Sequence, residues 1–217
     1  MEKLAYLIKH RFPGLFRGVD ALARAVTGLR FGRRRERALA EARIAGTVDR
    51  LPAEIRPLQA ADAGALTEFL AAMPAEYLEF FRPHGFDAGA VMRVMRSRAF
   101  MTYGLFVDGS LSAYGLLKLA PTGSAFIGLL VGPRLHGRGL GRFLVHYLYW
   151  QASLADFRAR STISEHNVAS VRAHKAVAEY RVVAELPVSG LLRSFLGRRH
   201  RLFRPKQYYQ SSVASST

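Results

Sequence analysis

Val131-Gly132-Pro133-Arg134-Leu135-His136-Gly137-Arg138-Gly139-Leu140-Gly141-Arg142 decides how this chain is read. The apolar run Phe126 to Val131 leads into it, and an apolar-periodic segment from about Gly139 to Ala155 leads out. The order is therefore strand, glycine-rich basic turn, helix. Glycine lets the main chain approach a ligand closely. The first helical turn has N–H groups without intrahelical partners, and the helix dipole favours negative charge there. Arg134, Arg138 and Arg142 add cationic charge. The stretch predicts a cradle for a ligand carrying a pyrophosphate; the alternative is an ordinary glycine-rich turn. It is not a Walker loop, since no Gly-Lys-Ser/Thr follows. It is a poor dinucleotide fingerprint as well, because Gly137, Gly139 and Gly141 run G-x-G-x-G with no acidic residue at the ribose-binding distance.

A second segment lies in register with the first. Past the helix comes a short β-like run, Arg160 to Ser164, and then Asn167, Ser170 and His174 at the start of another helix. Together the two segments resemble the GNAT superfamily of N-acetyltransferases. His136-Gly137-Arg138-Gly139-Leu140-Gly141 is similar to its motif A, Gln/Arg-x-x-Gly-x-Gly/Ala, with His136 at the usual Gln/Arg position. Asn167, a small residue three on and His174 seven on resemble its later segment, where Tyr or His stands last. The resemblance covers roughly Ile55 to Glu185. The Gly-Phe that follows this helix in the family reads Ala178-Glu179-Tyr180 here.

The resemblance implies an α/β (α+β) fold: a mixed, mostly antiparallel central sheet with flanking helices, here with an N-terminal helical extension. It implies acetyl-CoA as cosubstrate and transfer of the acetyl group to a primary amine by direct attack in a ternary complex. The main chain of Leu129, Leu130 and Val131 would pair with pantetheine, and an N–H there could meet the oxyanion. His136, Gly137, Arg138, Gly139, Leu140, Gly141 and Arg142 would hold the pyrophosphate. Asn167 would orient the pantetheine arm, and His174 would donate a proton to the leaving thiolate, or else only pack beside the coenzyme. The proton acceptor is open among Glu165, His84, Glu76, Glu79 and a chain of waters, or the amine arrives already deprotonated. Phe81-Arg82-Pro83-His84-Gly85-Phe86 resembles a Phe-x-Pro-His-x-Phe signature of GNAT-like proteins associated with sugar and surface-polysaccharide synthesis. That similarity implies an amino sugar as acceptor, against the plainer reading of an aromatic mini-core. A protein N-terminus or lysine acetyltransferase, and a non-catalytic acyl-CoA-binding or membrane-associated protein, remain the alternatives.

Composition bounds the rest. The chain has 217 residues, half of them hydrophobic, enough for one α/β domain with appendages. There is no cysteine, which excludes disulfides, thiolate metal sites and a cysteine nucleophile. The seven histidines show no metal-type clustering, so no metal is expected. No apolar run reaches bilayer-spanning length, and no cleavage pattern follows the N-terminus, so a cytoplasmic location is expected, with peripheral membrane contact as the variant. Of the net charge of +16, residues 1–50 carry +7, residues 51–185 +3 and residues 186–217 +6. The ends carry the field. They contain no recognisable DNA- or RNA-binding module, so nucleic acid is not an expected partner.

Organisation follows from pattern. Residues 1–50 read as a basic amphipathic helical extension, 51–207 as the catalytic domain and 208–217 as a Ser-rich tail. Leu15, Val19, Leu22, Val26 and Leu29 form a helical stripe, followed by Arg33-Arg34-Arg35 and Arg37. The stripe fits a helix packed on the catalytic domain or in a homodimer, or else an anchor on an anionic membrane. Phe100 to Val107 and Leu111 to Leu119 read as a hairpin joined at Asp108-Gly109-Ser110, and Asp87 reads as a helix N-cap.

Overall fold

The computed structural model describes residues 13–164, 166–186 and 200–205. A long helix, α1 (Pro13–Ala40), precedes the hairpin β1 (Ile44–Val48) and β2 (Leu51–Pro57). Then come α2 (Ala63–Ala71), the one-turn α3 (Ala75–Leu78), α4 (Ala88–Arg96), β3 (Phe100–Val107), β4 (Ser110–Ala120) and β5 (Ser124–Val131). The chain continues through α5 (Leu140–Leu154), β6 (Arg158–Ser164), α6 (Val168–Lys175), β7 (Tyr180–Leu186) and β8 (His200–Pro205). The strands form one sheet in the order β1-β2-β3-β4-β5-β6-β8-β7. Every pairing is antiparallel except β5 with β6. The mixed, mostly antiparallel sheet expected from the sequence is thus what the chain forms.

Side-chain alternation along the central strands builds two cores. Met101, Tyr103 and Leu105 of β3, Leu117 and Leu119 of β4, and Val131 of β5 pack with Phe31, Leu144, Tyr147 and Leu148 on the α1/α5 face. Phe100, Tyr114, Leu116 and Leu130 pack with Leu66, Phe69, Leu70, Val91 and Val94 on the α2/α4 face. The sheet is buried on both sides at its centre.

Two expectations need correction. The extension is not helical throughout, because Ile44–Val48 is an edge strand of the sheet. The apolar stripe of α1 does not face the catalytic body: Leu22, Val26 and Leu29 are exposed, whereas Thr27, Phe31 and Ala38 are buried. The Asp108-Gly109 hairpin is as expected, with both residues at positive φ and Val107 opposite Ser110. Asp87 caps α4 by accepting from the Ala90 N–H at 2.9 Å. The tail and the first 12 residues lie outside the described residues.

Candidate active site

Strands β5 and β6 start side by side and then part. Their parallel pairing runs from Ser124↔Arg158 to Ile127↔Ser161 and stops there. On its other edge β5 stays paired with β4 up to Ala113↔Val131, and the Gly132 N–H donates to Ser112 O at 2.9 Å. Antiparallel pairing alternates which residues aim their polar groups at the partner. With Gly132 aimed at β4, Leu130 is aimed there too. The main-chain groups of Leu129 and Val131 therefore face the opening left by β6. A backbone acceptor and donor row inside a sheet is left for something other than a strand.

A cavity of about 820 Å³ occupies this opening. Leu129, Leu130 and Val131 line one wall, and Ser161 to Ser164 the other. The turn from His136 to α5 closes one end: His136, Gly137, Gly139, Leu140, Gly141 and Arg142 all line it. From the α2/α4 side, Glu76, Tyr77, Phe80 and Phe81 reach it; from the other face come Asn167, Arg172 and His174. The cavity thus passes through the sheet.

The turn is shaped by two glycines in the left-handed region, Gly137 at φ 76° and Gly139 at φ 80°. A side chain would strain both, although a Cβ at either would meet no atom within 4 Å. Gly139 is the N-cap of α5 and has no side chain to cap it. The N–H groups of the first turn thus have no intrahelical partners while bordering the cavity. Gly141 lies where α5 meets α6, with 3.8 Å from a built Cβ to the Ala173 methyl. An open nest of amides at a helix start, continuous with the Leu129–Val131 row, fits a diphosphate with an extended amide-bearing arm.

The side chains of the turn do more local work than the sequence indicated. Nε2 of His136 donates to the Val131 carbonyl at 2.9 Å, and its ring lies 4.7 Å from that of Tyr77. His136 thereby ties the turn to the end of β5 and to α3. Arg138 is ion-paired with Asp49 of the β1–β2 turn. Of the three turn arginines, Arg142 lines the cavity.

His174 is buried behind the Ser161 wall. Its Nδ1 lies 2.8 Å from the Ser170 carbonyl, which can only accept, so Nδ1 carries the proton. Nε2 is then an acceptor, and the Ser161 hydroxyl donates to it at 2.9 Å. Burial pushes its pKa down to about 4, against a smaller upward effect of the Ser170 hydrogen bond. A neutral imidazole with both nitrogens engaged is a weak proton donor near neutral pH. The arrangement fits the packing and positioning alternative better than proton donation. Asn167 caps α6, its Oδ1 accepting from the Ser170 N–H at 3.0 Å.

Of the proton-acceptor candidates, Glu76 lines the cavity. His84 lies on the α2/α4 face, its Nδ1 2.6 Å from Gly85 O and its Nε2 3.0 Å from Tyr114 OH. Burial lowers its pKa, and it is not among the cavity-lining residues. It anchors the aromatic loop to β4, while Phe81 leans over Gly128, where a built Cβ would come within 3.3 Å of the ring. Glu165 lies outside the described residues. Sequence reasoning missed Ser161, Tyr77 and Asp49. Ser161 was detectable as a polar residue at an inward position between Ala159 and Ile163; Asp49 gave no signal.

The family model described as the acetyltransferase (GNAT) family matches residues 66–178, 113 of the 217 residues. The chain belongs to the GNAT family. Its reaction is acetyl transfer to an amine with acetyl-CoA as cosubstrate. None of the curated proteins matches the chain. Among solved structures, the GNAT domain of S. lividans PAT superposes with a TM-score of 0.60 at 16% identity, covering 76% of this chain and 98% of that one. A GNAT-family acetyltransferase from Streptococcus pneumoniae gives 0.55 at 17% identity, covering 70% and 97%. AAC(6')-Ib in complex with paromomycin and acetyl-CoA gives 0.56 at 16% identity, covering 76% and 99%. At these identities the likeness is one of fold.

Proposed function

We propose that this GNAT protein acetylates a primary amine of a small molecule of the amino-sugar class. The observation that carries the reading is the cavity through the sheet, with an amide-lined slot on one side and an aromatic, carboxylate-bearing wall of Glu76, Tyr77, Phe80 and Phe81 on the other. Aromatic faces suit the apolar faces of sugar rings, and a carboxylate at the rim suits a cationic amine. The fold neighbour AAC(6')-Ib, whose complex holds paromomycin with acetyl-CoA, supports the same acceptor class.

In this reading, the amides from Gly137 to Arg142 hold the diphosphate of acetyl-CoA. The Leu129 and Val131 main chain, with the Asn167 side chain, aligns the pantetheine arm. The coenzyme supplies an activated thioester carbonyl. Glu76 takes the proton that the ammonium must lose before nitrogen can attack. An N–H of the Leu129–Val131 row stabilises the oxygen as it gains charge. The C–N bond forms, the nitrogen gives up its second proton to solvent, the C–S bond breaks, and the thiolate leaves and is protonated from solvent. Ser161 and His174 act as a rigid wall that sets the end of the slot.

The test is coenzyme release measured with a thiol reagent across amino sugars, polyamines and peptides. Turnover is expected with amino sugars, and Glu76→Gln is expected to lower kcat roughly a hundredfold at neutral pH while leaving acetyl-CoA binding intact. Turnover of peptides alone would overturn the acceptor class. An unchanged kcat would remove Glu76 from the proton transfer.

A further inference from the structure

The long helix α1 carries its apolar stripe on the side away from the protein. Leu22 is 67% exposed, Val26 41% and Leu29 85%. The opposite side of the same helix is fixed to the body. Phe31 is buried with its ring 4.6 Å from that of Phe157, Arg35 Nε donates to the Phe100 carbonyl at 3.1 Å, and Ala38 is wholly buried. Isolated exposed apolar residues are ordinary, but three at four- and three-residue steps form a row. Continuing the same face by steps of four from Leu29 brings Arg33 and then Arg37, both exposed. A water-facing apolar row thus runs into a cationic one on a helix that cannot roll to hide it.

We propose that this face of α1 docks the protein on an anionic lipid bilayer. Leu22, Val26 and Leu29 enter the headgroup boundary, and Arg33 and Arg37 meet the lipid phosphates. Charge complementarity selects this occupant. A second copy packed on this face would cover the leucines but bring Val19 and Leu15, and no anionic group, opposite Arg33 and Arg37. A nucleic acid would leave the leucines without a partner, and the row has no aromatic ring for a base. The surplus of +7 over residues 1–50, in a chain of net charge +16, draws the same end towards an anionic surface.

Flotation of the full chain with phosphatidylcholine vesicles, with and without phosphatidylglycerol, tests the proposal. Binding is expected only to the vesicles with phosphatidylglycerol, falling as salt rises. Leu22→Asp with Leu29→Asp is expected to abolish it. Arg33→Glu with Arg37→Glu is expected to weaken it at least twentyfold, since each arginine near such a surface contributes roughly fivefold. Both doubly substituted chains should keep wild-type melting and acetyl transfer, because the four positions are exposed and distant in role from the acetyl-transfer slot. Absence of binding to the phosphatidylglycerol vesicles would overturn the proposal, as would undiminished binding of the leucine variant. A dimer in solution that Leu29→Asp dissociates, with no vesicle binding, would assign the face to a second copy instead.

Discussion

His174 shows how much one side chain can be decided by its surroundings. Its sequence position left it either a proton donor or a packing residue; in the structure its Nδ1–H meets the Ser170 carbonyl, its Nε2 meets the Ser161 hydroxyl, and burial lowers its pKa to about 4. The lowered folded-state value means that the unfolded chain, near 6.5, binds the proton more readily. Stability is therefore complete above pH 6.5 and is lost as pH falls towards 4. The difference amounts to about 3 kcal/mol at roughly 1.4 kcal/mol per pH unit. Urea unfolding of wild type and His174→Gln across that window should show the wild type losing this much relative to the variant. Parallel pH profiles would mean that His174 is already protonated or exposed. Two neighbouring residues set the limit of what spacing could show. The Asn167–Ser170–His174 steps placed all three at one helix start, but they gave no sign that Ser161, thirteen residues earlier on β6, occupies the second ring nitrogen.

At the scale of elements, the two hairpins explain what was legible. Both have two-residue loops with positive φ at each residue: Asp49 at 51° and Arg50 at 67°, Asp108 at 48° and Gly109 at 73°. Such loops match the twist of the strands they join. The Asp108-Gly109 pair announces itself because glycine is at ease there. Asp49-Arg50 does not, so β1 and its pairing with β2 were hidden inside a segment read as helix. An L side chain in the left-handed region costs about 1 kcal/mol. Arg50→Gly is therefore expected to raise stability by roughly that amount in urea unfolding, with Asp49 left in place to pair with Arg138. A loss of stability would mean that the Arg50 side chain holds the loop through contacts of its own. α1 is the complementary lesson. Its period is legible from Leu15 to Leu29, but periodicity names a face without saying what covers it. Thr27, Phe31 and Ala38, which dock the helix, form a second and less apolar row.

At the scale of the molecule, the proposed acetyl-CoA site comes from one break in a regular sheet. The centre of the sheet is buried on both faces and its strands alternate between two cores. That regularity was legible as apolar runs with turn signals between them. That the Leu129–Val131 main chain would meet a coenzyme was legible only through the family resemblance, because nothing in Phe126 to Val131 or Arg160 to Ser164 says that the strands part after Ile127 and Ser161. Once they part, the Leu129 and Val131 main chain, the amides before Arg142 and the Glu76–Phe81 wall share one cavity. The proposed acetyl-CoA site is therefore built mainly of backbone groups, which titration by amide NMR reads directly. Adding acetyl-CoA to the uniformly labelled protein should shift the amide resonances of Leu129, Val131 and Gly137 to Arg142 together, saturating at a single dissociation constant, with those of α1 and β1 unmoved. Saturable binding that leaves the Gly137–Arg142 amides unshifted would contradict the claim that this turn and the parted strands form the acetyl-CoA site.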